Sequence, residues 1–140
     1  MTINTDFLVR CIATLETAYE QLRQREQADP LYDIFCAASV KEFELVLEQS
    51  GSLLRKRLRP YFASNRQADE LPFRVAFRYA AKHNLLPVDA CERWFKYGDN
   101  RNNTAHDYGE GFAEATLRLL PNFIADAKAL ARVIAEGGDD

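Results

Sequence analysis

"DPLYDIFCAASVKEFELVLEQSGSLLRKRLRP", residues 29–60, decides the architecture. Asp29 followed by Pro30 reads as an N-cap residue with proline at the first helical position, where its missing N–H costs nothing. No proline then appears until Pro60, so one helix is predicted from there to about Leu58. Leu31, Ile34, Phe35, Ala38, Leu45, Val46, Leu53 and Leu54 supply its expected inward face. A helix of this length crosses a whole small domain, which suits an up-and-down bundle. Gly51 in its middle costs about 1 kcal/mol relative to alanine, so a bend or a close helix approach is expected there.

The flanking sequence continues the pattern. Upstream, Leu8, Cys11, Ile12, Leu15, Ala18, Tyr19 and Leu22 step by three and four, predicting an amphipathic helix from Thr5 or Asp6 to about Gln27. Downstream, "YFASNRQADE" (61–70) reads as the longest connection. A third helix begins near Leu71-Pro72 with Phe73, Val75, Ala76, Phe77, Ala80 and Ala81, and Asn84 suits a left-handed cap at its end. Asp89 and Glu92 resemble a capping box for a fourth helix that holds Cys91, Trp94, Phe95 and Tyr97 and runs into Arg101. The last helix spans about Phe112 to Glu136, with Leu117, Leu120, Phe123, Ile124, Ala127, Leu130 and Val133 or Ile134 inward, and Pro121 is expected to kink or restart it. Nothing reads as a strand. The reading is a single all-α domain over 1–140, an up-and-down bundle of four to five helices with a frayed tail at 136–140.

A chain of 140 residues buries a core without disulfide staples. Cys11, Cys36 and Cys91 are odd in number and far apart, which suits small buried hydrophobes in a reducing cytoplasm. No apolar run approaches the ~20 residues of a membrane span, and the first ten residues lack a signal-peptide layout. Two histidines, His83 and His106, share no metal-ligand spacing with a cysteine, and no phosphate-binding glycine loop is present. Neither a metal nor a cofactor is expected.

Net charge is −3, so indiscriminate attraction to nucleic acid is not expected. Yet residues 51–84 hold Arg55, Lys56, Arg57, Arg59, Arg66, Arg74, Arg78 and Lys82 against only Asp69 and Glu70. Arg74, Arg78 and Lys82 recur every four residues and form one basic stripe, either a solvated face or a wall for RNA. Arg55–Pro60 reads more simply as a helix C-terminus complementing the macrodipole. Trp94, Phe95 and Tyr97 read as core or dimer-interface residues, and His83 as a helix-end residue.

The chemistry concentrates in "RNNTAHDY", residues 101–108. Arg101 offers a permanently charged planar fork suited to phosphate. His106 exchanges a proton near neutral pH. Together they suit metal-free RNA cleavage, with Asn102, Asn103 and Thr104 holding either side chain or contacting substrate. Five positions along an unbroken helix turn by about 140°, so Arg101 and His106 would not share a face. Either the helix ends between them, which the weak helix formers Asn102–Thr104 permit, or two molecules share the site across a two-fold axis. The simpler reading, a polar interhelical turn, stays open on spacing alone.

This Arg-x4-His-x-Tyr pattern resembles the signature of HEPN proteins, in particular the prokaryotic branch of nucleotidyltransferase substrate-binding or HepT-like toxins. The position of the motif before "FAEATLRLLPNFIADAKAL" (112–130) strengthens that resemblance. It implies a helical bundle that forms a homodimer and a metal-independent endoribonuclease site at Arg101 and His106. It also implies a partner minimal nucleotidyltransferase acting as antitoxin, with Tyr108 receiving adenylyl groups. The alternative within the same branch is a non-catalytic substrate-binding subunit of that nucleotidyltransferase. Outside it stands a scaffolding helical dimer.

Overall fold

The computed structural model describes the backbone of residues 3–104 and 110–136, and the side chains of 3–101 and 114–136. His106 and Tyr108, the side chains of Asn102, Asn103 and Thr104, and the tail 137–140 lie outside the described residues.

All regular structure among the described residues is helical: α1 (Asp6–Arg23), α2 (Pro30–Leu58), α3 (Asn65–Asp69), α4 (Phe73–Lys82), α5 (Val88–Thr104) and α6 (Glu110–Glu136). A 3-10 turn, Arg59–Tyr61, follows α2. The long helix is central: α2 packs against α1, α3, α4, α5 and α6. None of the described helices is long and apolar enough to cross a membrane.

The local signals explain most boundaries. The Asp29 carboxylate accepts from the Leu31 N–H at 2.8 Å, with Pro30 at the first helical position. α1 stops at Arg23, four residues before the expected end. After Leu22 the chain offers no large apolar side chain to bury until Leu31. Arg25 instead holds the turn, reaching Gln21 at 3.1 Å and Asp29 at 3.3 Å. Asn84 has φ of 60°, and the N–H of Leu85 returns to the carbonyl of Ala80, the left-handed stop expected for α4. α5 begins at Val88, so Asp89 sits inside the first turn rather than at the cap and pairs with Arg93 at 3.3 Å. α6 runs without a restart through Pro121.

The structure differs from this reading in two places. The 61–70 connection contains the extra helix α3, started by Ser64, whose hydroxyl accepts from the Gln67 N–H. The inward face of α2 is also phased differently. Phe43, Val46, Leu47, Leu54 and Leu58 are fully buried, whereas Leu31 and Ile34 are exposed. No residue of α2 before Ser39 is buried, so apolar spacing alone misplaces the core. Of the cysteines, Cys11 and Cys91 are buried and Cys36 is only half-buried.

An aromatic column binds four helices. Phe43 of α2 meets Phe123 of α6, Phe77 of α4 stacks on Trp94 of α5, and Trp94 and Tyr97 both pack edge-on against Phe123. Beside it lies the carboxylate of Asp126, about 90% buried. Arg93 donates to both of its oxygens at 2.8 and 2.9 Å, and the Tyr97 hydroxyl adds a third bond at 2.5 Å. Burial and the Asp126 carboxylate push the Tyr97 phenol far above its ordinary pKa, so it remains a neutral donor. The cluster locks α5 against α6. Arg93→Met leaves a buried carboxylate short of its counter-ion, with an expected loss of roughly 3 kcal/mol. Tyr97→Phe removes one hydrogen bond and is expected to cost roughly 1–2 kcal/mol. Urea unfolding of the two variants measures both values and their order.

Candidate functional site

The motif starts in the last turns of α5. The backbone of Asn102, Asn103 and Thr104 continues the helix, and α5 is described as far as Thr104, within the interval between Arg101 and His106 where the sequence allowed it to end. Just before the motif, the amide of Asn100 donates to the Thr116 hydroxyl at 2.9 Å, both groups buried. This link joins α5 to α6 on either side of the motif segment. Sequence reading passed over Asn100 because its partner lies 16 positions away.

Arg101 is half-buried, and its guanidinium carbon lies 6.0 Å from the centre of the Phe73 ring. Phe73 opens α4 and wedges between α2 and α5. A Cβ placed on Gly98 would meet the ring at 2.7 and 3.0 Å, the first too close for any real side chain unless the ring or the helix shifts. A Cβ on Gly51 would meet the same ring and Arg55 at 3.5 Å, an ordinary contact. The close helix approach expected at Gly51 is therefore stricter at Gly98, on the motif helix itself. Gly98 is one turn before Arg101, so the ring that needs the glycine also supports the arginine.

A second guanidinium shares this environment. Arg55 of α2 donates from Nε to the Leu71 carbonyl at 2.8 Å. Burial and the nearby Arg101 charge lower its pKa from the ordinary arginine value, and Asp69 opposes the shift. Sequence reading assigned Arg55 to the helix C-terminus; only its packing reveals the proximity to Arg101.

The basic stripe is real but unevenly charged. Arg74, Arg78 and Lys82 are exposed along α4. Arg74 is tied to Asp99 of α5 at 2.7 Å, while Arg74 and Arg78 both lie over Phe95, at 4.8 and 5.5 Å. Lys82 lies beside Tyr79. Phe95 thus serves as a seat for the stripe, whereas Trp94 and Tyr97 are core. His83 ends α4 and stacks on Tyr61 at 3.8 Å. Elsewhere in the basic segment, Arg59 grips Asp69 through two bonds of 2.9 Å and Arg66 pairs with Glu70. Among the described residues no cluster of histidine, cysteine, aspartate and glutamate has the makings of a metal site.

Comparison with known proteins places this architecture. Residues 4–136 match the family described as nucleotidyltransferase substrate binding protein like. The chain belongs to that family. It is 24% identical over 132 residues to a Haemophilus influenzae protein named "Probable ribonuclease HepT", covering 91% of this chain and 89% of that one. The fold is similar to a solved Haemophilus influenzae structure described as the fold of a substrate binding domain of a nucleotidyltransferase. That match has a TM-score of 0.79 and 21% identity, over 94% of this chain and 98% of the other. A Thermus thermophilus structure is also similar, with a TM-score of 0.63 and 23% identity over 85% of this chain and 98% of that one. The HEPN and HepT-like resemblance read from the motif fits this membership.

The two glycines give a paired expectation. Gly98→Ala overpacks Phe73 and is expected to lose about 1–3 kcal/mol, only partly offset by helix propensity. Gly51→Ala meets no such clash and is expected to gain up to about 1 kcal/mol. Chemical denaturation of both variants should show opposite signs.

Proposed function

We propose that this protein is a HEPN-type ribonuclease, the toxin of a two-gene pair whose antitoxin is a minimal nucleotidyltransferase. The observation that carries the reading is the likeness, over about nine-tenths of both chains, to a protein named "Probable ribonuclease HepT". The placement of Arg101, half-buried at the end of a braced helix with Phe73 beneath it, supports it.

In this reading the 2′-oxygen of a ribose attacks the adjacent phosphorus and the bond to the 5′-oxygen breaks. His106 takes the 2′-hydroxyl proton or delivers one to the departing oxygen. Arg101 stabilises the charge that builds on the phosphoryl oxygens. Asn102, Asn103 and Thr104 orient these groups or the RNA. A homodimer packed through the motif-bearing helices brings two copies together. Arg78 and Lys82, with Arg74 weakened by its Asp99 partner, line the RNA approach. Adenylylation of Tyr108 by the nucleotidyltransferase adds negative charge and bulk beside the cleft and silences it.

A second reading, a non-catalytic subunit that presents substrate to the nucleotidyltransferase, is favoured by the family's description and by that of the Haemophilus influenzae structure. Incubation of the purified protein with RNA in EDTA separates the two. The nuclease reading expects cleavage by the wild type and a loss of at least a hundredfold in His106→Ala, in line with removal of a general acid–base. An inert wild type, or equal cleavage by the variant, favours the substrate-binding subunit.

A further inference from the structure

We infer that Arg55 of α2 and Arg101 of α5 together form a two-guanidinium clamp for one backbone phosphate of the RNA strand. The substrate class rests on the nuclease reading; the clamp itself rests on geometry. Both arginines are half-buried and both flank Phe73. A Cβ built on Gly51 would lie 3.5 Å from both the ring and Arg55 Nη1, and one built on Gly98, one turn before Arg101, would meet the opposite edge of the ring. Arg55 is aimed by its Nε bond to the Leu71 carbonyl, which commits one nitrogen and leaves the two terminal ones for a ligand.

The local charge balance then points to an anion. Among the described residues neither Arg55 nor Arg101 forms an ion pair. The acidic groups nearby are already engaged: Asp69 by Arg59 through two bonds, and Asp99 by Arg74 at 2.7 Å. Two like charges that flank one ring in a half-buried setting repel, and the repulsion is relieved when an anion binds to both. Guanidinium forks bind phosphate oxygens in pairs, which suits a phosphodiester better than a single point charge does. Mutual repulsion and the loss of Arg55 hydration both favour the phosphate-bound state. The clamp therefore draws on two helices, α2 and α5, and does not depend on the motif segment alone.

Binding is read with a 2′-O-methyl RNA oligonucleotide, which cannot be cleaved through its 2′-oxygen, across a salt titration by fluorescence anisotropy. Arg55→Gln is expected to weaken binding about tenfold and to lower the salt slope by about 0.7, the contribution of one phosphate contact on a single strand. Arg55→Lys keeps the slope but not the full affinity, because a lysine lacks the fork. Arg55→Gln combined with Arg101→Gln loses less than the sum of the single losses, since both hold one phosphate. On the unmodified protein, bound oligonucleotide is expected to protect Arg55 and Arg101 from phenylglyoxal, mapped by mass spectrometry. That measurement needs no variant to fold.

Arg55→Gln with wild-type slope and affinity, even with a lowered melting temperature, makes Arg55 a purely structural residue and overturns the clamp. Equal modification of Arg55 with and without RNA does the same. A wild type that cuts RNA while Arg55→Gln binds and cuts equally well overturns the clamp and leaves the nuclease reading intact. Arg55-dependent binding with no cleavage supports the clamp and sinks the nuclease reading instead.

Discussion

A carboxylate buried between two helices has to be satisfied, and the way Asp126 is satisfied sets the geometry of the rest. Its oxygens accept three hydrogen bonds, two from Arg93 and one from Tyr97. All three donors come from α5 while the acceptor is on α6. Sliding one helix by a residue would strand a charge in the interior, a far larger penalty than the loss of a few apolar contacts. With that register held, Tyr97 and Trp94 face Phe123, Gly98 faces Phe73, Asn100 meets Thr116, and Arg101 comes to rest over the Phe73 ring. The motif-bearing end of α5 thus inherits its orientation from a charge cluster two turns away.

The basic segment divides into parts with different work. Arg59 and Arg66 are engaged with Asp69 and Glu70 in exposed ion pairs, which contribute little to stability. Arg74 ties α4 to α5 through Asp99, while Arg78 packs its charge over Phe95. Arg55 differs from all of these in being fixed by a backbone carbonyl and in feeling the charge of another arginine, Arg101. An acidic protein thus carries concentrated positive charge on a few helical turns close to Arg101, an arrangement suited to a defined anionic ligand rather than to polyanions in general.

Much of the fold was legible because the signals are local. The proline at the start of α2 and the aspartate before it, the periodic face of α1, and Asn84 at the end of α4 each act within a turn of the chain. The reading failed where helical spacing did not mean burial: Leu31 and Ile34 lie on the expected apolar face of α2 yet remain exposed. The weak helix formers Asn102 and Asn103, whose state the sequence left open, stay helical at the end of a braced α5. For the site, Arg101 was named from its chemistry and its place before the last helix. Gly98, Asn100 and Arg55 were not, since each acquires its role from a residue on another helix.

The amino-acid sequence alone determined an all-helical chain, the positions of its long helices, and the stretch where arginine, histidine and tyrosine gather. Side-chain chemistry and short-range periodicity suffice for that. Tertiary structure alone decided which charges meet. Arg93 finds Asp126 33 positions along the chain, and Arg55 and Arg101 come to flank one ring only because α2, α4 and α5 converge on Phe73. Helix packing sets such distances through the volumes of glycine and phenylalanine at the crossing points, and no spacing along a single helix encodes them.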